Sequence, residues 1–427
     1  MAMKSLIRYV LGCVICSFVF GTLSCRKDMF DEEEYYVLIE SEQGVDSVDG
    51  DHTWKLTSEF TVGINARSLD IGAKKVQIWA GNAAAGESTT ILAEQTISDG
   101  EEKYFVFSAP SIMTNFYAAI IDGDGKYTID DFSLRDMEAD FSEPIAKQVD
   151  IDKQLLGYQT CTCCFEDAFP LAGDYDYNDL VLRFAYDRPA DNQLRLYITL
   201  AAVGSNAKLA AAVRLLDYNY DEIESVTTEE GVAFDQNYPQ EQAYMIEENS
   251  LLIRGKNGEA VLRLFEDAHW AMAGDQSNSY GVQQRKYYNV TKSSGGDSYQ
   301  MSPPTLTYVV TFKDPTRADL FTLSRLDPFA INDYNSACYE IHASYEYRAT
   351  EVLQHNSYTK NTKLLPWALM IPDGGFRYPL EGVRIGFYKN GDLFGAYFIE
   401  GHSFGEWAAN HTRAHDWYNY PTINKVY

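Results

Sequence analysis

Three stretches beyond residue 158 alternate between two kinds of side chain with a period of two residues. They span residues 180–186, 194–200 and 306–312, and each sets an apolar row against a row that is smaller or more polar. A period of two belongs to the β-strand, in which successive side chains point to opposite faces. The pattern therefore predicts antiparallel sheet for residues 158–427, arranged as a β-sandwich or a jelly-roll-like domain.

Shorter runs of the same kind occupy residues 35–135. Apolar residues alternate with polar or small ones over 60–64, and turn signals separate this run from the next. Short strands spaced by turns predict a small immunoglobulin-like sandwich. Residues 136–157 are charged, and we interpret them as the linker between two β domains. The chain is thus predicted to be all-β, with its few helical signals at 206–216 and 404–411.

The first 24 residues have the anatomy of a lipoprotein signal peptide. Lys4 and Arg8 form a basic region ahead of an apolar stretch, and the small-residue cleavage site ends in Cys25. A stretch of this kind is cleaved rather than kept as a membrane span. We expect Cys25 to carry diacylglycerol and an N-acyl chain such as palmitate, which would anchor the protein to a membrane. The alternative is a plain secretory signal with an incidental cysteine.

Acidic and amide side chains crowd the stretch just before the strand predicted at 180–186. Asp174, Asp176 and Asn178 have the spacing with which a tight turn aims alternate oxygens at one point. Oxygen ligands without His or Cys favour Ca²⁺ over zinc or copper. Three further acids complete the charge of the expected site: Glu166, Asp167 and Asp179. The alternative is a solvated turn whose side chains bond their own backbone.

The same stretch resembles the signature of a known protein family. The resemblance lies in Phe165-Glu166-Asp167, in residues 173–181, and in motifs at 264–269, 327–329, 340–342, 366–373, 376–379 and 416–418. Over roughly residues 150–427, these motifs are similar in kind and order to those of the LruC-domain (DUF4842) lipoproteins of bacteria with an outer membrane. The resemblance implies a β-rich, Ca²⁺-binding envelope lipoprotein in a family with no established catalytic activity.

Residues 25–34 bear on where such a lipoprotein would lie. Their acidic run resembles the surface-export signals of lipoproteins from the same bacteria, although a flexible acidic tether would look the same. We expect a lipid-anchored protein of the outer membrane, on the cell surface rather than facing the periplasm.

The charge and composition of the chain exclude some partners. A formal net charge of −27 argues against nucleic acid, because phosphates would be repelled. With 45% hydrophobic and 14% aromatic residues, the chain can bury a large core, which argues against global disorder. Four cysteines remain after the signal peptide and Cys25, and their pairing stays open: Cys161, Cys163, Cys164 and Cys338.

A second, weaker metal candidate lies at the Asp-Gly repeat of residues 122–125. In the register of an EF-hand loop, the ligands would be Asp122, Asp124, Thr128 and Asp131. The first ligand position would fall on Ile120, which cannot bind a cation. The alternative is a hairpin capped by Asp-Gly turns.

Two further patterns suggest catalysis or ligand contact. Residues 401–405 fit G-x-S-x-G, the nucleophile elbow of esterases, with Ser403 as nucleophile, but too little chain follows for the required β-α units. Trp367, Trp407 and Trp417 could form a platform for a sugar ligand, although aromatic residues of a β domain also serve as core.

These observations favour a non-catalytic envelope lipoprotein with a structural Ca²⁺ site, acting in surface binding, adhesion or glycan contact. The expected partners are the membrane, through the lipid anchor, and a glycan or a surface protein. Two alternatives stay open: a hydrolase, esterase-like at Ser403 or acting on glycans, and a purely architectural envelope protein.

Overall fold

The computed structural model describes residue 45 and the ranges 47–66, 74–98, 100–141, 148–169, 173–229, 251–255, 257–332, 339–344, 365–386 and 401–427. The predicted signal peptide 1–24, Cys25, the predicted tether 25–34 and Cys338 lie outside the described residues. Residues 43–427 form one compact unit. Within the ranges given above, no helix combines the length and apolar character needed to cross a bilayer.

The N-terminal part is a sandwich of two small sheets. Its strands are β1 (Thr57–Asn65), β2 (Lys74–Trp79), β3 (Thr89–Ile97), β4 (Glu102–Pro110), β5 (Asn115–Ile121), β6 (Tyr127–Ser133), β7 (Glu138–Asp140) and β8 (Leu156–Tyr158). One sheet has the order β4-β1-β7 and the other the order β6-β5-β2-β3-β8. Strands β1 and β4 correspond to strands B and E of immunoglobulin domains, and β2, β5 and β6 to C, F and G. The prediction of an immunoglobulin-like sandwich is confirmed.

The apolar side chains that alternate along the strands form the core of this small sandwich. Val62 and Ile64 of β1 and Phe105 and Phe107 of β4 have no solvent-exposed surface, and all four belong to one buried cluster. The cluster also includes Val76 and Ile78 of the opposite sheet. Burying such side chains contributes about 1.5–3 kcal/mol each, which fixes how the two sheets face each other.

The segment 136–157, interpreted from its charge as a linker, contributes to both N-terminal sheets. Strand β7 pairs in parallel with β1. The last residues of the segment begin strand β8, which pairs in parallel with β3.

The C-terminal part is built on two larger sheets. The first has eight strands: β9 (Thr160–Phe165), β10 (Leu180–Asp187), β11 (Gln193–Val203), β13 (Ile223–Thr228), β16 (Tyr287–Tyr288), β17 (Ser298–Tyr299), β18 (Thr305–Phe312) and β21 (Ala368–Ile371). Its main order is β13-β18-β11-β10-β9-β21, and these neighbours are antiparallel. The predicted strands at 180–186, 194–200 and 306–312 correspond to β10, β11 and β18.

The second sheet has five strands in the order β14-β15-β12-β19-β20. They are β12 (Leu209–Asn219), β14 (Leu252–Arg254), β15 (Glu259–Phe265), β19 (Leu326–Asn332) and β20 (Tyr339–His342). The rings of Tyr218 on β12 and Phe312 on β18 lie 5.2 Å apart, which joins the two sheets across their interior. The antiparallel sandwich predicted for this part of the chain is therefore confirmed.

The helices among the described residues are short. In these ranges the α-helices are Ala268–Ala273, Pro315–Asp319 and Phe404–Ala409, and the 3₁₀ turns are Ala83–Ala85, Lys153–Leu155, Tyr220–Glu222, Leu323–Arg325 and Trp417–Asn419. The helix expected at 404–411 is present, but the one expected at 206–216 is wrong. That stretch is strand β12, held between β15 and β19. Two flanking ladders of backbone hydrogen bonds outweigh the helix propensity of its alanines and leucines.

Candidate metal centre

The acidic run is the connection between two paired strands. Strand β9 ends at Phe165 and strand β10 begins at Leu180, and these two residues are partners in the ladder. Glu166 and Asp179 therefore lie at the base of a loop whose ends are fixed by the sheet. The Asp167 N–H donates to Asp179 Oδ2 at 2.7 Å, which closes the base.

The loop folds around the carboxylate of Glu166. Tyr175 and Tyr177 have left-handed backbones, with φ of 59° and 54°. Such conformations are uncommon for bulky residues, and they turn alternate N–H groups into a concave anion site. The Tyr175 N–H donates to Glu166 Oε2 at 3.0 Å, and the Tyr177 N–H donates to Oε1 at 2.6 Å. Both tyrosine rings are buried, which holds the backbone in this shape.

The loop is also joined to the C-terminal part of the chain. Asp176 Oδ1 accepts from the Asn178 N–H at 3.2 Å, and its Oδ2 accepts from the Gly382 N–H at 2.7 Å. The Tyr177 hydroxyl donates to the carbonyl of Pro366. Contacts from residues about 200 positions away in sequence therefore fix the acidic loop.

Three carboxylates of the loop converge. Ligand atoms of Glu166, Asp174 and Asp176 all lie within 4.8 Å of one another, so this group can hold a metal ion. Glu166 and Asp176 are buried and Asp174 is exposed, which leaves a side open to solvent. The donors are all carboxylate oxygens, the type preferred by hard cations such as Ca²⁺.

The other three expected ligands are placed differently. The Asp179 carboxylate accepts from the Asp167 N–H, and the Asp167 carboxylate accepts from the Ser205 hydroxyl. The Asn178 side chain is buried; its Nδ2 donates to the carbonyl of Pro379 at 3.3 Å, and its Oδ1 has no hydrogen-bond partner among the described residues, so it stays a candidate ligand atom. These residues surround the three converging carboxylates and hold the loop.

Sequence reasoning missed Glu381. Its charge lies near Asp174 and Asp167, and burial followed by these two charges raises its pKa to about 7. Its Oε2 is buried and has no hydrogen-bond partner among the described residues. Glu381 lies far from the acidic run in sequence and belongs to no cation motif, so no local signal could have identified it.

The electrostatics of the cluster oppose a metal-free, fully ionised state. Burial, and then the charge of Asp174, raises the pKa of Glu166 to about 8. Burial and neighbouring carboxylates likewise raise the pKa of Asp176 and of Asp179 well above the usual range. A bound cation would remove this repulsion, and the oxygen-only donor set and the unpaired Glu381 oxygen fit such a group.

The centre depends on a glycine beside Glu166. A Cβ added at Gly173 would lie 1.9 Å from Glu166 Oε2. We expect Gly173→Ala to displace the carboxylate from its backbone N–H donors and to lower the free energy of unfolding by about 1–3 kcal/mol, measured by urea denaturation. The matched control is Gly123→Ala, where an added Cβ meets nothing within 4 Å and no loss is expected. Equal stability of the two variants would contradict the placement of Glu166.

The second metal candidate forms the hairpin that the sequence left open. Strands β5 and β6 pair across the turn, with Thr128 opposite Ile120 and Asp131 opposite Tyr117. Asp122 Oδ1 accepts from the N–H groups of Asp124 and Lys126, both at 2.9 Å. The EF-hand register does not form, because Thr128 and Asp131 belong to a strand rather than to a loop that returns to Asp122.

Ser403 is a helix cap. Its hydroxyl donates to Glu406 Oε2 at 2.8 Å and accepts from the Glu406 N–H at 3.2 Å, in a reciprocal capping box. The neighbouring His402 ring pairs with Asp416, with Nδ1 2.8 Å from Oδ2. These contacts assign Ser403 a structural role as the N-cap of the helix Phe404–Ala409.

The three tryptophans predicted as a ligand platform lie in the core. Trp367, Trp407 and Trp417 are exposed by 4%, 0% and 0%. The rings of Trp407 and Trp417 pack 5.8 Å apart. A sugar-stacking surface needs an exposed ring face, so the structure corrects this expectation in favour of the core alternative.

The three described cysteines are unpaired. Cys161, Cys163 and Cys164 are buried free thiols on β9. Burial raises the pKa of the Cys163 and Cys164 thiols. Such thiols behave as small apolar core residues rather than as nucleophiles.

The fold and the acidic centre define an all-β protein of two sandwiches, with a group of carboxylates that can hold a metal ion. The model of the family described as "Domain of unknown function (DUF4842)" matches residues 192–418, more than half of the chain. The chain therefore belongs to the DUF4842 family, which confirms the DUF4842 resemblance for the motifs within these residues.

Two solved structures are similar to this chain to different degrees. A candidate lipoprotein from Bacteroides ovatus shares 15% identity at a TM-score of 0.51, covering 82% of this chain and 98% of that one. At this identity the similarity shows the fold alone. The B domain of a biofilm-associated protein covers 86% of this chain and 94% of that one, with 6% identity. Its TM-score of 0.17 is too low to indicate a shared fold. No curated protein matches the sequence.

Proposed function

We propose that this protein is a lipid-anchored envelope protein whose larger sandwich is stabilised by a bound Ca²⁺ ion. The observation that carries the proposal is the geometry of three carboxylates in the β9–β10 loop. Ligand atoms of Glu166, Asp174 and Asp176 lie within 4.8 Å of one another. Glu381 is a fourth candidate ligand, because the charges of Asp174 and Asp167 contribute to raising its pKa and its Oε2 has no hydrogen-bond partner among the described residues.

The ion would act on the fold rather than on a substrate. It neutralises the repulsion among the carboxylates and so fixes the loop that joins β9 to β10. Because Asp176 also accepts from the Gly382 N–H, the ion would tie the C-terminal segment to the centre of the larger sheet. Ca²⁺ at a free concentration about 100 times its dissociation constant would add roughly 2.7 kcal/mol to the free energy of unfolding.

The envelope location rests on the N-terminus and on the family. The signal-like residues 1–24 and Cys25 support lipidation. The fold shared with a candidate lipoprotein supports the same class. On the outer face of an outer membrane, the two sandwiches would contact a glycan or a surface protein without catalysis.

Location is tested by fractionation with the Cys25→Ser variant. We expect the wild type in the outer-membrane fraction and the variant in the soluble envelope fraction, because several acyl chains are needed for stable anchoring. Proteinase K added to intact cells should degrade the wild type. A variant that remains in the membrane fraction, or a wild type that proteinase K cannot reach, would overturn this part of the proposal.

The role in binding is tested with a glycan array in buffer containing Ca²⁺. Saturable binding that is lost in EDTA would support glycan contact dependent on the stabilised sandwich. Binding to no glycan, together with turnover of an ester or glycan substrate, would favour the hydrolase alternative.

A further inference from the structure

A cavity of about 670 Å³ lies where the small sandwich meets the larger one. Leu92 and Met113 line it from the N-terminal part, and Leu216 and Met370 line it from the C-terminal part. This volume falls in the range of small-molecule sites, which are mostly apolar and often lie between domains. None of the acidic residues of the metal centre lines it, so the cavity is independent of the Ca²⁺ proposal.

One buried polar group in the wall lacks a partner. Gln159 is 7% exposed, and its Nε2 donates to the carbonyl of Ser108 at 2.6 Å. Because that carbonyl can only accept, the amide orientation is fixed and Oε1 is the free end. Gln159 Oε1 has no hydrogen-bond partner among the described residues. A buried acceptor of this kind requires a donor, which a molecule in the cavity can supply.

The backbone is strained at another wall residue. Trp54 has a φ of 59°, which is an outlier for a bulky residue. Its ring is stacked on His52 with the centroids 3.8 Å apart, and the Trp54 N–H donates to His52 Nδ1 at 2.9 Å. Strained residues that neighbours hold in place occur preferentially at ligand sites. In this backbone conformation, Trp54 contributes an aromatic ring to the cavity wall.

The charges of the described wall residues sum to a negative value, which disfavours an anionic ligand: the cations are Lys55 and Arg325, and the carboxylates are Glu59, Asp217 and Asp373. The Arg325 guanidinium is already paired with the Asp217 carboxylate. Asp373 also lines the cavity, and its charge contributes to raising the pKa of Tyr418 after the larger effect of burial. A neutral molecule needs no ion pair with Arg325, whose guanidinium is already paired, and it is not repelled by the Asp373 carboxylate.

We infer that this cavity binds a neutral amphipathic small molecule, with an apolar ring against Trp54 and a hydroxyl or amide donor to Gln159 Oε1. The apolar side chains of both sandwiches bury the ring, and the unpaired amide oxygen selects for a donor. A ligand that lacks the donor leaves that oxygen without a partner, which weakens its binding about fivefold to tenfold.

The test uses the mature chain with Cys25→Ser and three fluorescent probes: 2-naphthol, 2-methoxynaphthalene and naphthalene. The first offers a hydroxyl donor, the second only an acceptor and the third neither. We expect saturable binding of 2-naphthol, about fivefold to tenfold tighter than that of either other probe. In Gln159→Met, which keeps the length of the side chain without its amide, this preference should disappear.

A second variant locates the bound probe. Thr90 of β3 lines the cavity, so Thr90→Trp should fill it and abolish binding. The matched control is Thr96→Trp on the exposed side of the same strand, which should bind as the wild type does. Circular dichroism verifies that each variant is folded. Absence of saturable 2-naphthol binding, undiminished binding in folded Thr90→Trp, or an unchanged preference in folded Gln159→Met would each overturn the inference.

Discussion

The Asp174→Asn/Asp176→Asn double variant is expected to gain no stability from millimolar Ca²⁺, whereas the wild type is expected to melt at a higher temperature in Ca²⁺ than in EDTA. The substitution removes two of the three converging carboxylates, so the variant lacks the oxygens that would hold the ion. In Ca²⁺ only the wild type gains the binding free energy, roughly 2.7 kcal/mol at about 100 times the dissociation constant. Thermal melts of both proteins in both buffers measure this difference in the response to Ca²⁺.

The matched control is Asp124→Asn/Asp131→Asn. It makes the same change of charge at two exposed residues of the β5–β6 hairpin and should leave the response to Ca²⁺ unchanged. A wild-type melt that does not respond to Ca²⁺, or a response that persists in the Asp174→Asn/Asp176→Asn variant, would contradict the account.

The response of the wild type to Ca²⁺ should also depend on pH. Burial raises the pKa of Glu166 to about 8 and that of Glu381 to about 7, whereas a free glutamate has a pKa of about 4.3. A group whose pKa is raised by folding contributes stability below its unfolded pKa and loses it as the pH rises through the folded value. The metal-free wild type should therefore lose stability between about pH 4 and pH 8, and the effect of Ca²⁺ should increase over the same range.

Glu166→Ala is expected to destabilise the protein whether Ca²⁺ is present or not. The substitution removes the acceptor of two backbone N–H groups, those of Tyr175 and Tyr177, and leaves both buried. Each unpaired buried donor costs about 1–3 kcal/mol, so we expect the free energy of unfolding in EDTA to fall by about 2–5 kcal/mol. The free energy of unfolding of native proteins is about 5–15 kcal/mol, so this loss is a large part of the total. Urea denaturation measures it.

Glu166→Gln separates the two roles of this side chain. Glutamine keeps the shape and one acceptor oxygen, but its NH₂ group faces the second N–H donor, so its stability in EDTA should lie between those of the wild type and Glu166→Ala. If Glu166→Ala were as stable as the wild type in EDTA, the carboxylate would be a ligand only, and the loop would not depend on it.

Local sequence pattern predicted much of the fold. The strands β10, β11 and β18 follow from alternation alone, because one face of each contacts a continuous core. Strand β12 could not be read in this way, because its alanines and leucines suit a helix equally well. Its state is decided by pairing with β15 and β19, which come later in the chain.

The candidate site was predicted only in its local part. The spacing of Asp174 and Asp176 was visible, and Glu166 belonged to the same motif. The contribution of Glu381 and the Gly382 N–H depends on a long-range contact that a single sequence does not reveal. Burial was equally hidden, since nothing in the sequence distinguishes a core tryptophan such as Trp407 from one on an exposed platform.

The central claim is that a cation binds where Glu166, Asp174 and Asp176 meet, and equilibrium dialysis against radiolabelled Ca²⁺ tests it most directly. We expect one saturable Ca²⁺ per chain in the wild type and in Asp124→Asn/Asp131→Asn, and loss of that ion in Asp174→Asn/Asp176→Asn. No saturable ion in the wild type, or equal binding by the wild type and Asp174→Asn/Asp176→Asn, would contradict the claim.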